Sequence, residues 1–87
     1  MQYRIPDDVL HRVVQTDTVI LNAATNAYVS LNGSAGRIWE LFGAGHTADE
    51  VQSIMVEEFD VDADVVAADV AATLQSLLQR GLLEPSV

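Results

Sequence analysis

The spacing of apolar residues changes once along this chain, at Asn32, and that change limits what it can fold into. Before Asn32 the apolar residues are β-branched and grouped in short runs separated by turn residues. Residues 9–15 (VLHRVVQ), 18–23 (TVILNA) and 27–31 (AYVSL) read as three strands, joined by turns at Thr16-Asp17 and Thr25-Asn26. In the third run Ala27, Val29 and Leu31 share one face, and Tyr28 and Ser30 the other. Val19, Leu21 and Ala23 are expected to line that same first face on the second strand.

After Asn32 the spacing is helical. Asn32 is a good N-cap, Ile38, Leu41 and Phe42 recur beside Trp39, and Gly43 and Gly45 stop the helix. Thr47 and Glu50 form the capping box of a second helix, continued by Val51, Ile54, Met55 and Phe59. Asp60, Asp62 and Asp64 are expected to cap a third helix, which runs to Arg80 and stops at Gly81. Leu82 and Leu83 should then fold back as a short apolar tail. The pattern predicts an α+β fold, a three-stranded antiparallel sheet followed by three helices, in a single domain spanning residues 1–87.

Two features bear on binding, although the second is equally met by a small domain that wraps its third helix on two sides. The run 27–31 carries no charge and no proline, so at a sheet edge its N–H and C=O groups would be open to another strand. Strand addition of this kind is one way to hold an extended peptide. The third helix is apolar over more than the ~100° that a surface helix needs. Val66, Val70, Leu74, Leu77 and Leu78 form one stripe, with Val65 and several alanines beside it. Asp69, Thr73, Ser76 and Arg80 make a narrow polar stripe at its border.

Charge and composition exclude several functions. Thirteen acidic residues against four arginines, with no lysine, give a net charge of -9. Nucleic-acid backbones and anionic membrane surfaces are therefore not expected partners. The absence of cysteine removes disulfides, thiolate metal sites and a cysteine nucleophile. No signal peptide or membrane-length apolar run is visible, which predicts a cytoplasmic protein. Asp60-x-Asp62-x-Asp64 resembles the opening of a calcium loop. However, Val65 stands where glycine is needed and Ala71 where the last glutamate is needed. His11 and His46 lack partners at metal-ligand spacing, and no serine lies in a nucleophile elbow. No catalytic, metal or cofactor site is predicted.

The ordered set L-N-x-x-A-x-x-I-W from Leu31 to Trp39, then D-V-x-x-x-L-x-x-L-x-x-x-G-L from Asp69 to Leu82, resembles the PqqD-like family. These proteins are also called the precursor-peptide recognition elements of ribosomal peptide natural-product pathways. The resemblance spans roughly residues 9–83. It implies a winged-helix-like domain, not an enzyme, that binds the leader segment of a precursor peptide as an added strand. Carried onto this chain, the docking strand is Ala27, Tyr28, Val29, Ser30 and Leu31. The groove wall is Val66, Asp69, Val70, Thr73, Leu74 and Leu77, with Asp69 at its margin. The partners implied are a precursor leader peptide and a separate maturation enzyme, a cysteine peptidase followed by a cyclase in lasso peptide biosynthesis. Arginine in place of lysine, with abundant Ala and Val, favours the lasso setting over the alternative, a peptide chaperone in pyrroloquinoline quinone synthesis. Two alternatives of other classes are a winged-helix DNA-binding regulator, disfavoured by charge, and an acyl-carrier protein. The latter needs an Asp-Ser-Leu setting that Ser34 lacks.

Overall fold

The structure is a computed structural model and describes residues 1–86. Its elements in chain order are β1 (Gln2–Arg4), β2 (Val9–Val14), β3 (Asp17–Asn22), β4 (Ala27–Leu31), α1 (Gly33–Gly43), α2 (Ala48–Phe59), α3 (Ala63–Gln79) and β5 (Glu84–Ser86). Strands β2, β3 and β4 form an antiparallel sheet in that order. The predicted α+β arrangement of three strands followed by three helices is therefore present. Two short strands, β1 and β5, were not predicted. They pair antiparallel across the two chain ends, with the Arg4 guanidinium donating to Glu84 Oε1 at 2.7 Å.

Local chemistry explains the helix boundaries. Asn32 caps α1, its side chain accepting from the Ala35 N–H at 2.9 Å. The Thr47–Glu50 capping box of α2 is complete in both directions. The acidic run 60–64 behaves differently from expectation. Asp60 ends α2 in the left-handed conformation, and Asp62 stands at the N-cap of α3 without a side-chain cap bond. Only Asp64 lies in the first turn of α3, where its charge favours the positive end of the helix dipole.

The core lies between the sheet and the helices. Ile20, Trp39, Phe42, Val51, Val70, Leu77, Leu82 and Leu83 are almost wholly removed from water. Each such side chain contributes about 2 kcal/mol of burial. Trp39 ties the C-terminal tail into this core, its indole N–H donating to the Leu82 carbonyl at 3.0 Å. The apolar tail predicted for Leu82 and Leu83 is thus buried. At the opposite end Tyr3 packs edge-on against Phe42, with ring centroids 5.4 Å apart.

One expectation about the sheet is overturned. Thr18 and Ile20, not Val19 and Leu21, face the helices. Ile20 is paired with Val29 and Thr18 with Leu31, so Val19 and Leu21 lie on the outer face opposite Ser30 and Tyr28. With this face turned inward α1 comes close to β3: a Cβ on Gly36 would stand 2.6 Å from Thr18 Oγ1, so only glycine fits at position 36.

Candidate functional site

The two hairpin loops determine which main-chain groups of β4 are free. The β2–β3 loop holds two residues, Gln15 and Thr16, so Val14 and Asp17 close that hairpin as a hydrogen-bonded pair. Bonded pairs then alternate along the ladder: Arg12 with Val19, and Leu10 with Leu21. The Ala23 N–H donates to the Asp8 carbonyl at 2.7 Å, in the same phase. Thr18, Ile20 and Asn22 therefore point their main-chain groups at β4, where Leu31, Val29 and Ala27 receive them. Tyr28 and Ser30 are left with N–H and C=O directed away from the sheet. No strand pairs with that side of β4 among the described residues.

Beside this edge runs a groove between the end of β4, the start of α1 and α3. It consists of two adjoining depressions of about 360 and 380 Å³. The first is bordered by Ser30, Leu31, Asn32, Ala35, Ala72, Thr73, Ser76, Leu77 and Arg80. The second is bordered by Asn32, Ser34, Ala35, Ile38, Met55, Phe59, Val61, Val66, Asp69, Val70 and Thr73. Asn32, Ala35 and Thr73 border both, so the two form one trough.

The structure thus brings together Ser30, Leu31, Val66, Asp69, Val70, Thr73 and Leu77 of the residues expected at a peptide site. Ala27, Tyr28 and Val29 lie further back along the edge strand. Leu74 borders neither depression and packs against the core instead. The α3 surface turned to the trough is the polar stripe Asp69, Thr73, Ser76 and Arg80, with the deep apolar residues Val66, Val70 and Leu77 at its base. Sequence reasoning identified that stripe as a border but placed Leu74 in the wall. It also missed the contribution of α1 through Asn32, Ser34, Ala35 and Ile38, and that of the α2 end through Met55 and Phe59.

The outer face of the sheet is different in character. Leu10, Val14, Val19, Leu21 and Tyr28 border a shallow apolar depression there, and Tyr28 is 72% exposed.

Charged groups elsewhere are engaged in holding elements together. Arg37 on α1 donates to both carboxylate oxygens of Glu58 on α2, at 2.9 and 2.6 Å, and also pairs with Glu40. The hydrogen bond from Arg37 holds the Glu58 carboxyl below its ordinary value. The Glu50 carboxyl is likewise lowered, chiefly by the Thr47 N–H that it accepts in the capping box. Arg4 pairs with Glu84. Two of the four arginines are therefore committed to ion pairs, and among the described residues no basic patch of the kind nucleic acids need is assembled. Among the described residues, no three His, Cys, Asp or Glu side chains cluster as a metal site would require. No helix among them is long and apolar enough to cross a membrane.

The whole architecture has close counterparts among solved structures. The chain superposes with a TM-score of 0.86 on "TbiB1 in Complex with the TbiA(beta) Leader Peptide", at 28% identity over 97% of this chain and 98% of the other. A lasso peptide synthetase B1 complexed with the leader peptide gives 0.87 at 24% identity, over 98% of this chain and 100% of the other. The PqqD truncation of Methylobacterium extorquens PqqCD, described as a stand-alone recognition element, gives 0.76 at 24% identity over 95% of this chain and 88% of the other. No curated protein sequence matches the chain significantly. Residues 17–83, from the start of β3 through the buried tail, match the family described as coenzyme PQQ synthesis protein D (PqqD), and the chain belongs to that family.

Proposed function

We propose that this protein is a non-catalytic adaptor that binds the leader segment of a ribosomally made precursor peptide. It presents that peptide to a separate maturation enzyme. The observation that carries this reading is the outward-facing main chain of Tyr28 and Ser30, on a strand whose Ser30 end borders the trough along α3. A guest strand added there gains main-chain hydrogen bonds from the edge. Its alternate side chains fall on the helical side and enter the trough. Register comes from the bonds, and selectivity comes from Val66, Asp69, Val70, Thr73 and Leu77. Holding the leader raises the local concentration of the attached core peptide at the partner enzyme.

Two of the similar structures are B1 proteins with leader peptides bound, and they superpose at 0.86 and 0.87 against 0.76 for the PqqD domain. This supports lasso peptide biosynthesis, with a leader peptidase and then a cyclase as partners, over pyrroloquinoline quinone synthesis.

Amide hydrogen exchange with and without a synthetic lasso leader peptide tests the reading. The Tyr28 and Ser30 amides, open in the free protein, should become protected by more than tenfold when the leader is added. The Val29 amide, already bonded to β3, should change far less. Equal protection at all three positions, or none at Tyr28 and Ser30, would rule out strand addition at this edge.

A further inference from the structure

The two depressions of the trough are equally apolar in lining but differ in charge. Its second depression is floored by Ile38, Met55, Val66 and Val70 and flanked by Phe59. Its first depression is bordered by Leu31, Ala72 and Leu77 together with Thr73, Ser76 and Arg80, with no carboxylate. Arg80 is the only cation at either depression, and Asp69, in the second, is the only anion. Among the described residues neither forms an ion pair, unlike Arg4 and Arg37. Arg80 is exposed, so its guanidinium is open to a ligand, while its main chain is fixed at the end of α3. It is the C-cap of α3, its N–H bonded to the Ser76 carbonyl at 3.0 Å.

We infer that Arg80 selects guest peptides carrying an acidic side chain, bound in the first depression while an apolar side chain fills the second. A carboxylate there meets a guanidinium and the hydroxyls of Thr73 and Ser76, all of which suit it as donors. Elsewhere on a surface of net charge -9 a carboxylate meets mostly like charge. Along α3, Asp69 lies about 10–16 Å from Ser76 and Arg80, a span of roughly three to five extended residues. Side chains on one face of a strand recur at even spacing, so the acidic and apolar positions of the guest should be about four residues apart. This inference rests on the trough being the peptide site.

The test is selection from a displayed library of random 15-residue peptides against the full chain, with Thr73→Trp as a blocked-trough control. Binders that depend on an open trough should share an Asp or Glu about four residues from an apolar anchor. Arg80→Glu should move that position to Lys or Arg. Arg80→Gln should weaken the selected acidic peptides about tenfold by fluorescence polarisation while leaving Tm nearly unchanged. Binders that need the trough yet show no acidic position, or that ignore Arg80→Glu, overturn the role of Arg80 and leave the trough as the peptide site. Binders indifferent to Thr73→Trp overturn both.

Discussion

The sheet has two edges, β2 and β4, and they differ in what lies beside them rather than in how strand-like they are. Both expose alternate main-chain groups: Tyr28 and Ser30 on β4, and Val9, His11 and Val13 on β2. On β2 one of these is already used, because the Val9 N–H donates to the Pro6 carbonyl at 3.0 Å where the chain folds back. On β4 the edge continues through Asn32 into α1, and the trough along α3 opens next to it. β3 and β4 both pack on α1. An open edge alone attracts any extended chain. An edge beside a trough walled by helices can choose among chains, and β4 has one, whereas the depression reached by β2 lies on the open outer face of the sheet.

The largest effect expected follows from the phase of the ladder. Val29→Pro removes an N–H bonded to β3 and leaves the Ile20 carbonyl unpaired in the core, so it should cost about 2–3 kcal/mol. Tm should fall by roughly 10–20 °C in a domain of this size, as measured by circular dichroism. An unchanged Tm would mean that the ladder has the opposite phase, and the free groups would then be those of Ala27, Val29 and Leu31. Thr73→Trp, next in size, should fill the junction of the two depressions and weaken leader binding about a hundredfold, roughly 2.7 kcal/mol. Its circular dichroism spectrum should be that of the wild type.

A matched pair of prolines compares the two edges directly. Ser30→Pro removes an outward N–H, which an edge strand tolerates, and should weaken leader binding by about five- to tenfold for one lost main-chain bond. Val13→Pro makes the same change on β2, where Val13 is 62% exposed, and should leave binding unaltered. Equal losses from both substitutions would remove the distinction between the edges.

Much of this was legible in the sequence, for identifiable reasons. The β4 strand, the Asn32 cap and the Thr47–Glu50 box depend on neighbouring residues only, and the sequence carries such local chemistry openly. The face of β3 was misjudged because Val19 and Leu21 look more like core than Thr18 does. A shift of one residue exchanges every side chain between faces, and the packing that goes with the observed face, such as Gly36 over Thr18, joins distant parts of the chain. The β1–β5 pair escaped for a similar reason. Each strand has three residues, too few to show a period, and they meet only because both chain ends reach the same place. In the trough, apolarity pointed to Leu74 as wall, whereas the α3 surface beside β4 is the polar stripe. A helix of this domain buries its most apolar face in the core and turns a more polar face to the trough.

The smallest effect concerns the helices that frame the β4 edge. Arg37 clamps α1 to α2 through Glu58, at a site where both side chains are about a third exposed. Because Arg37 lowers the Glu58 carboxyl, the carboxylate binds fewer protons folded than unfolded. The stability that this pair contributes is therefore present above the unfolded carboxyl value, about 4.3, and is lost as pH falls through the lower folded value. Glu58→Gln should lower Tm slightly at pH 7, less in high salt, and not at all once acid has protonated the wild-type carboxylate. NMR shifts should move around the trough end formed by α1 and Phe59 while those of β2, which lies away from the clamp, stay fixed. If instead the β2 amides respond as strongly as Ser30 and Asn32, the clamp supports the whole sheet, and the two edges do not have separate supports.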